Sequence, residues 1–210
     1  MVLRGAIMAL GCQPRTKSKS CCTDALPSRR GHPETMANRM PYAESCGVLQ
    51  GRQLLDAGKI LPLPDRPPRY DDENPGVSFF RTLVADVALE GLTLPRTYFG
   101  RSEIRGVSFR GTDLSESTAN WNNFVSVDCA LADLSRADLR ASVFTRVSFR
   151  GSILRGADLR GSSFRGCRFA DADLTGAKLV RSLVWLFRLS AAQRRAVEWH
   201  SDPGPEPAGG

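Results

Sequence analysis

Histidine is almost missing from this chain: two of its 210 residues are His, His32 and His200, and by sequence both lie in the tails. A His-dependent triad has no place to assemble, and no glycine-rich phosphate loop, GxSxG elbow or metal-ligand spacing supplies other chemistry. No apolar run approaches the roughly 20 residues that a membrane helix needs. The six cysteines do not form a disulfide framework. Cys12, Cys21, Cys22 and Cys46 lack the paired CxxC spacing of a zinc site, while Cys129 and Cys167 fall where a small apolar filler is expected. These features point to a reducing, cytoplasmic setting and to a protein that is not an enzyme and needs no cofactor and no metal.

What the chain does have is a comb. From Phe79 to Val184 an apolar residue stands at every fifth position, and 17 of these 22 centres are Leu or Phe. Two residues before each centre sits a second inward position that is small almost throughout, with Leu92 and Asn122 as the two breaks. Neither standard period accounts for this, because steps of five scatter around a helix and alternate between the faces of a strand. The backbone must bend once per repeat. A step of twenty lines up Leu94, Leu114, Leu134, Leu154 and Leu174, and it stacks Phe124, Phe144 and Phe164 between Ile104 and Val184, whereas a step of fifteen mixes Leu with Phe. Four repeats therefore make one coil, and like stacks on like. The comb corresponds to about five and a half coils, or roughly 26 Å of rod at the usual spacing of backbone rungs.

Strings such as Ala132-Asp133-Leu134-Ser135-Arg136, Ala137-Asp138-Leu139-Arg140-Ala141, Ala157-Asp158-Leu159-Arg160-Gly161 and Ala172-Asp173-Leu174-Thr175-Gly176 resemble the tandem unit of the pentapeptide-repeat family. The resemblance implies an all-β fold, a right-handed quadrilateral parallel β-helix. It also implies a bacterial protein-binding rod, of the kind whose best-characterised members bind DNA gyrase or topoisomerase IV and pair through their carboxy-terminal ends. One feature departs from those members: residues 77–190 carry 16 Lys/Arg against 11 Asp/Glu, whereas a mimic of duplex DNA needs an anionic surface.

With the inside filled, recognition falls to the outside. Arginine follows the centre at Arg105, Arg110, Arg140, Arg150, Arg155, Arg160 and Arg165, a belt suited to nucleic acid or an acidic partner. The bland reading is a solvated surface in which Arg140 and Arg160 pair with Asp138 and Asp158. At Ser117–Phe124 the pattern is disturbed, and Trp121, on an outward corner, forms with Asn120 and Asn123 a candidate contact patch, since an exposed Trp is a frequent interface anchor. The bland alternative is a local bulge with Asn122 bonded to backbone inside the coil. A third reading of the whole rod is a structural spacer.

The rest divides as follows. Residues 1–46 are expected to be disordered or to precede the true start, with Met36 or Met40 as candidate starts. Residues 47–76 would hold a short helix through Leu49, Leu54, Leu55 and Ile60, followed by a proline-rich strap; 77–188 form the β-helix, with its amino-terminal cover around 77–90. Ser190-Ala191-Ala192-Gln193 fits a capping box that opens a capping helix over 189–200, ahead of a disordered tail at 201–210. Trp185, Val197 and Trp199 are the residues expected to lid the last coil or to pair two copies into a homodimer.

Overall fold

The computed structural model describes residues 38–54, 66–69, 76–181 and 188–201, all within the compact unit Gly31–Gly210. Chain order there is helix α1 (Tyr42–Gly51), strands β1 (Ser78–Phe80), β2 (Leu83–Ala85), β3 (Tyr98–Gly100), β4 (Glu103–Arg105), β5 (Asn123–Val125), β6 (Val143–Thr145), β7 (Ser163–Arg165) and β8 (Lys178–Val180), then helix α2 (Ala191–Ala196) and strand β9 (Glu198–His200). Every strand pairing is parallel, and the partners are twenty residues apart: Phe79 with Phe99, Ile104 with Phe124, Phe124 with Phe144, Phe144 with Phe164. Single bridges carry the same register through the other sides, as in Asp113 to Asp133 and Asp138 to Asp158. The result is a four-sided parallel β-solenoid of about six coils.

The bend that the comb demands is made the same way each time. Two residues past every centre, at each fifth position from Arg81 to Gly176, φ is positive. Twelve of these twenty corners are not glycine, although left-handed backbone costs an L-residue about 1–2 kcal/mol. Continuous hydrogen bonding to the coils on either side over-determines the turn and offsets that strain. Each corner turns the next triplet onto a new side, so the centres all point inward.

On side 1 the inward stack runs through Phe79, Phe99, Ala119, Leu139, Leu159 and Leu179; on side 2 through Val84, Ile104, Phe124, Phe144 and Phe164; on side 3 through Leu89, Phe109, Cys129, Phe149 and Phe169; on side 4 through the leucine column. All of these are at most 5% exposed. Rings stack face to face at the rung spacing, 4.9 Å for Phe124–Phe144, 5.0 Å for Phe144–Phe164 and 4.9 Å for Phe149–Phe169. Burying each such side chain contributes about 1.5–3 kcal/mol before entropy is counted. Where side 1 and side 3 shrink to Ala119 and Cys129 at neighbouring heights, a wholly apolar cavity of about 20 Å³ remains, too poor in polar partners to hold water.

Both ends are covered, and each cover differs from the sequence expectation. The amino-terminal cover is α1, which begins at Tyr42 rather than at 47 and so takes in residues assigned to the disordered 1–46 segment. Tyr42, Cys46 and Leu49 are at most 5% exposed and join the core; their i, i+4, i+7 spacing is the helical stripe that was there to be read. Ser45 Oγ accepts the Thr93 N–H at 2.9 Å, Met40 N–H donates to the Gly91 carbonyl at 2.8 Å, and the Arg39 guanidinium lies 3.5 Å from Asp113. The segment 77–90 is thus the first coil itself, not its cover. Pro68 is buried and its carbonyl accepts from Arg96 at 2.7 Å, so residues 66–69 do lie on the rod; 55–65 and 70–75 fall outside the described residues.

At the other end the Ser190–Gln193 capping box is formed, but α2 stops at Ala196 instead of continuing to about Trp199. Glu198–His200 is a strand, and Trp199 pairs with Leu179 at the same step of twenty. The comb resumes for one more rung after the helix, which also takes His200 out of the tail and into β9. Gln193 Nε2 donates to the carbonyls of Phe169 and Ala172 at 2.7 and 2.9 Å, satisfying backbone groups that the next coil would otherwise have met. Trp185 and the stretch 202–210 lie outside the described residues.

Candidate functional site

Among the described residues no helix is long and apolar enough to cross a membrane, and no group of three or more His, Cys, Asp or Glu could hold a metal ion. The inside of the coil holds no reactive arrangement: burial pushes the Cys129 thiol pKa up, which keeps it protonated and inert. Recognition must be sought on the outer columns, and these differ from edge to edge.

The edge between sides 1 and 2 carries Arg81, Arg101, Trp121, Ala141 and Gly161 at its corner. Trp121 is 70% exposed with φ at 58°, and the other large apolar side chains that face water among the described residues stand on the same edge, Phe80 and Leu83 two coils before it and Val143 one coil after. A shallow groove of about 460 Å³ runs here, lined by Arg101, Glu103, Trp121, Asn123, Ala141 and Val143, with Ser102 and Asn122 beneath it. Arg81 sits over the Phe80 ring at 5.3 Å. Trp121 and Asn123 are thus in the groove; Asn120 instead turns to Asp138 at 3.4 Å. Phe80, Leu83 and Val143 were missed by the sequence reading. Sorting outward positions by the step of twenty would have found them.

Beneath this edge is a polar column. At most of the corners that end sides 3 and 4 the backbone N–H closes an i to i−3 turn, for example Ala137 to the Leu134 carbonyl at 3.1 Å and Ala157 to Leu154 at 3.1 Å, with Thr97, which donates to Ser117 Oγ, as an exception. At the Trp121 edge the N–H of Thr82, Ser102, Asn122 and Ser142 instead donates to the side-chain oxygen twenty residues on, at 3.1, 2.7, 3.1 and 3.1 Å. Asn122 therefore does not break the comb. It belongs to a Ser/Asn ladder, and the surface turn above it is held from inside.

The arginine belt resolves into paired and unpaired members. Arg140 chelates Asp138 through two bonds of 2.8 Å, and Arg160 does the same to Asp158. The hydrogen bond from Arg140 holds the Asp138 carboxyl below the usual carboxylate range. Burial alone would raise Asp158, but the bonds from Arg160 bring it down as well. Arg105 pairs with Glu103 and Arg155 with Asp173. These pairs are partly exposed and contribute at most about 1 kcal/mol each, yet they leave four of the seven arginines neutralised. Arg110, Arg150 and Arg165 have no carboxylate partner among the described residues. Val197 is buried and Trp199 half-buried with its indole N–H on the Arg194 carbonyl at 2.8 Å.

A family model described as pentapeptide repeats matches residues 102–140, 123–161 and 142–181, with eight copies. No curated protein matches the sequence. Among solved structures, HetL, a pentapeptide repeat protein involved in heterocyst differentiation regulation from the cyanobacterium Nostoc sp. strain PCC 7120, is 21% identical with a TM-score of 0.46, covering 48% of this chain and 48% of its own. Rfr23 from the cyanobacterium Cyanothece 51142 is 15% identical with a TM-score of 0.32, over 49% of this chain and 84% of its own. QnrB1, a plasmid-mediated fluoroquinolone resistance protein, is 14% identical with a TM-score of 0.20, over 58% of this chain and 91% of its own. The chain thus spans about half the length of HetL. Residues 102–181 of this chain match the pentapeptide-repeat family, and the step of twenty and the coil they build are what such repeats require.

Proposed function

We propose that the chain is a non-enzymatic rigid scaffold that recognises a protein partner along the edge centred on Trp121. The observation that carries this reading is that Phe80, Leu83, Trp121 and Val143 all stand on one edge of the rod, with Trp121 and Val143 lining one groove. Exposed apolar residues scattered singly need no explanation, but their alignment on one edge, two of them in a groove rimmed by polar residues, marks an interaction surface. Trp121 is the anchor, since a large aromatic in a shallow groove gains most when a partner covers it. The ladder under the corner fixes its backbone in advance, which lowers the ordering cost of binding. The buried thiols of Cys46 and Cys129 support a reducing compartment such as the cytoplasm.

The family resemblance gives a narrower form, in which the partner is a bacterial DNA topoisomerase. The cationic rod is the reverse of a duplex mimic, so the reading stays with a protein partner in general, and a gyrase supercoiling assay with excess protein tests the narrower form. Homodimerisation through Trp185, Val197 and Trp199 is a further narrower form. The engagement of Val197 and Trp199 within their own chain supports the lid, and sedimentation of the full chain tests the dimer.

The test of the main reading is cross-linking capture from the native cell with the full chain and with Trp121→Ser/Val143→Ser. A partner recovered by the parent and lost with the double variant is expected. Equal recovery by both would remove this edge from the account.

A further inference from the structure

We infer a second, independent surface on the next edge: a phosphate-binding strip formed by Arg146, Arg165 and Arg168, with Arg150 at its margin, that takes the backbone of a nucleic-acid duplex. Arg146 is the corner between sides 2 and 3, and its N–H donates to the Arg165 carbonyl on the coil above at 2.7 Å. Arg168 lies just past the following corner, Gly166, and is in register with Ser148. A Cβ built on Gly166 would stand 3.6 Å from Arg146 Cγ. Three guanidinium stems therefore rise from one turn and its neighbour.

The strip is what remains after the belt is neutralised elsewhere. All four arginines are exposed, and none has a carboxylate partner among the described residues. Arg146 Nε donates to Ser126 Oγ at 3.1 Å, which orients the group while leaving its outer nitrogens free. In the register of these coils, Ser148 and Arg168 stand where side 4 has Ile153 and Asp173, so a small side chain and a cation replace an apolar group and a carboxylate. That composition favours a phosphate backbone over a peptide: a duplex needs no apolar contact and offers closely spaced charge, and guanidinium matches phosphate in bidentate geometry. The exposed aromatics Phe80 and Trp121, on which single-stranded bases would stack, belong to the neighbouring edge. Arg146 and Arg168 were absent from the sequence-derived belt because neither directly follows a centre.

The test is fluorescence anisotropy of a labelled 20-base-pair DNA duplex with the full chain over a salt series. Arg146→Ser/Arg165→Ser/Arg168→Ser is compared with Arg105→Ser/Arg140→Ser/Arg160→Ser, which removes the same net charge from paired positions. The strip variant is expected to weaken binding at least tenfold at low salt and to lower the slope of log affinity against log salt by about 2.7, roughly 0.9 per lost phosphate contact. The control variant should change affinity less than threefold. Each single substitution in the strip should lower the slope by about 0.9, so the inference stays testable if the triple variant misfolds. Equal losses in the two triple variants, no binding by the parent at low salt, or competition by poly-glutamate as strong as by unlabelled duplex would each overturn it.

Discussion

The N–H of Ser102 donates to the Oδ1 of Asn122, one coil on, at 2.7 Å, while Asn122 Nδ2 donates to the carbonyls of Phe99 and Asn120. One side chain, 3% exposed, thus serves three backbone groups that no turn bond reaches. An unpaired buried polar group costs about 1–3 kcal/mol. Asn122→Ala should lower the unfolding free energy by about 2–3 kcal/mol, read by urea denaturation. Asn122→Ser, which copies Ser142 and Ser162 in the same column, should cost less than half as much. Equal losses would mean that the ladder contributes only packing.

Corner strain gives a second prediction. Gly161 has φ at 69°, and a Cβ there would meet nothing closer than the Ala141 N at 3.7 Å. Gly161→Ala should therefore destabilise through backbone strain alone, by about 1 kcal/mol. A shift in thermal midpoint would report it. The reverse substitution one coil earlier, Ala141→Gly, relieves the same strain but frees the unfolded chain, so its net effect should stay within about 0.5 kcal/mol of zero.

In the leucine column, Leu134→Asp places an unpaired carboxylate among Leu114, Leu154 and their neighbours, and the solenoid should fail to fold. Far-ultraviolet circular dichroism matching the parent would contradict the inward placement. Leu154→Ala, at a site with 0% exposure, should fold but lose about 2–5 kcal/mol.

Acid should weaken the rod through its paired carboxylates. Asp138 has a folded pKa below its unfolded value, held down by the Arg140 hydrogen bond. Its contribution is therefore complete above the unfolded value of about 3.9 and is lost as pH falls through the lower folded value. Asp158 and Asp173, also lowered, act in the same direction. Asp138→Asn should reduce the drop in unfolding free energy between pH 5 and pH 2, read by urea denaturation, by no more than about 1 kcal/mol because the pair is partly exposed. An unchanged drop would show that the bond adds no stability.

Much of the fold was legible because a solenoid repeats one environment. Once Leu94, Leu114 and Leu134 occupy the same position, the step of twenty follows from composition alone. The capping box was legible for a related reason, since Ser190 and Gln193 act within one turn. The covers were harder. α1 announces itself through Tyr42, Cys46 and Leu49, a stripe of three in a segment otherwise without period. β9 is separated from its rung by α2, so Trp199 continues the comb after an interruption. The surface was least legible. Whether an arginine is free depends on a carboxylate two or eighteen residues away, as Arg160 with Asp158 and Arg155 with Asp173 show, and an exposed apolar edge exists only once four columns are laid side by side.

The claim beneath both surfaces is that residues twenty apart stack along a filled square axis. Methyl NOE spectroscopy on leucine-labelled full chain tests it most directly. The account predicts strong cross-peaks of Leu134 with Leu114 and Leu154; methyls of Leu134 that show neither contact, in a protein that is otherwise folded, would contradict it.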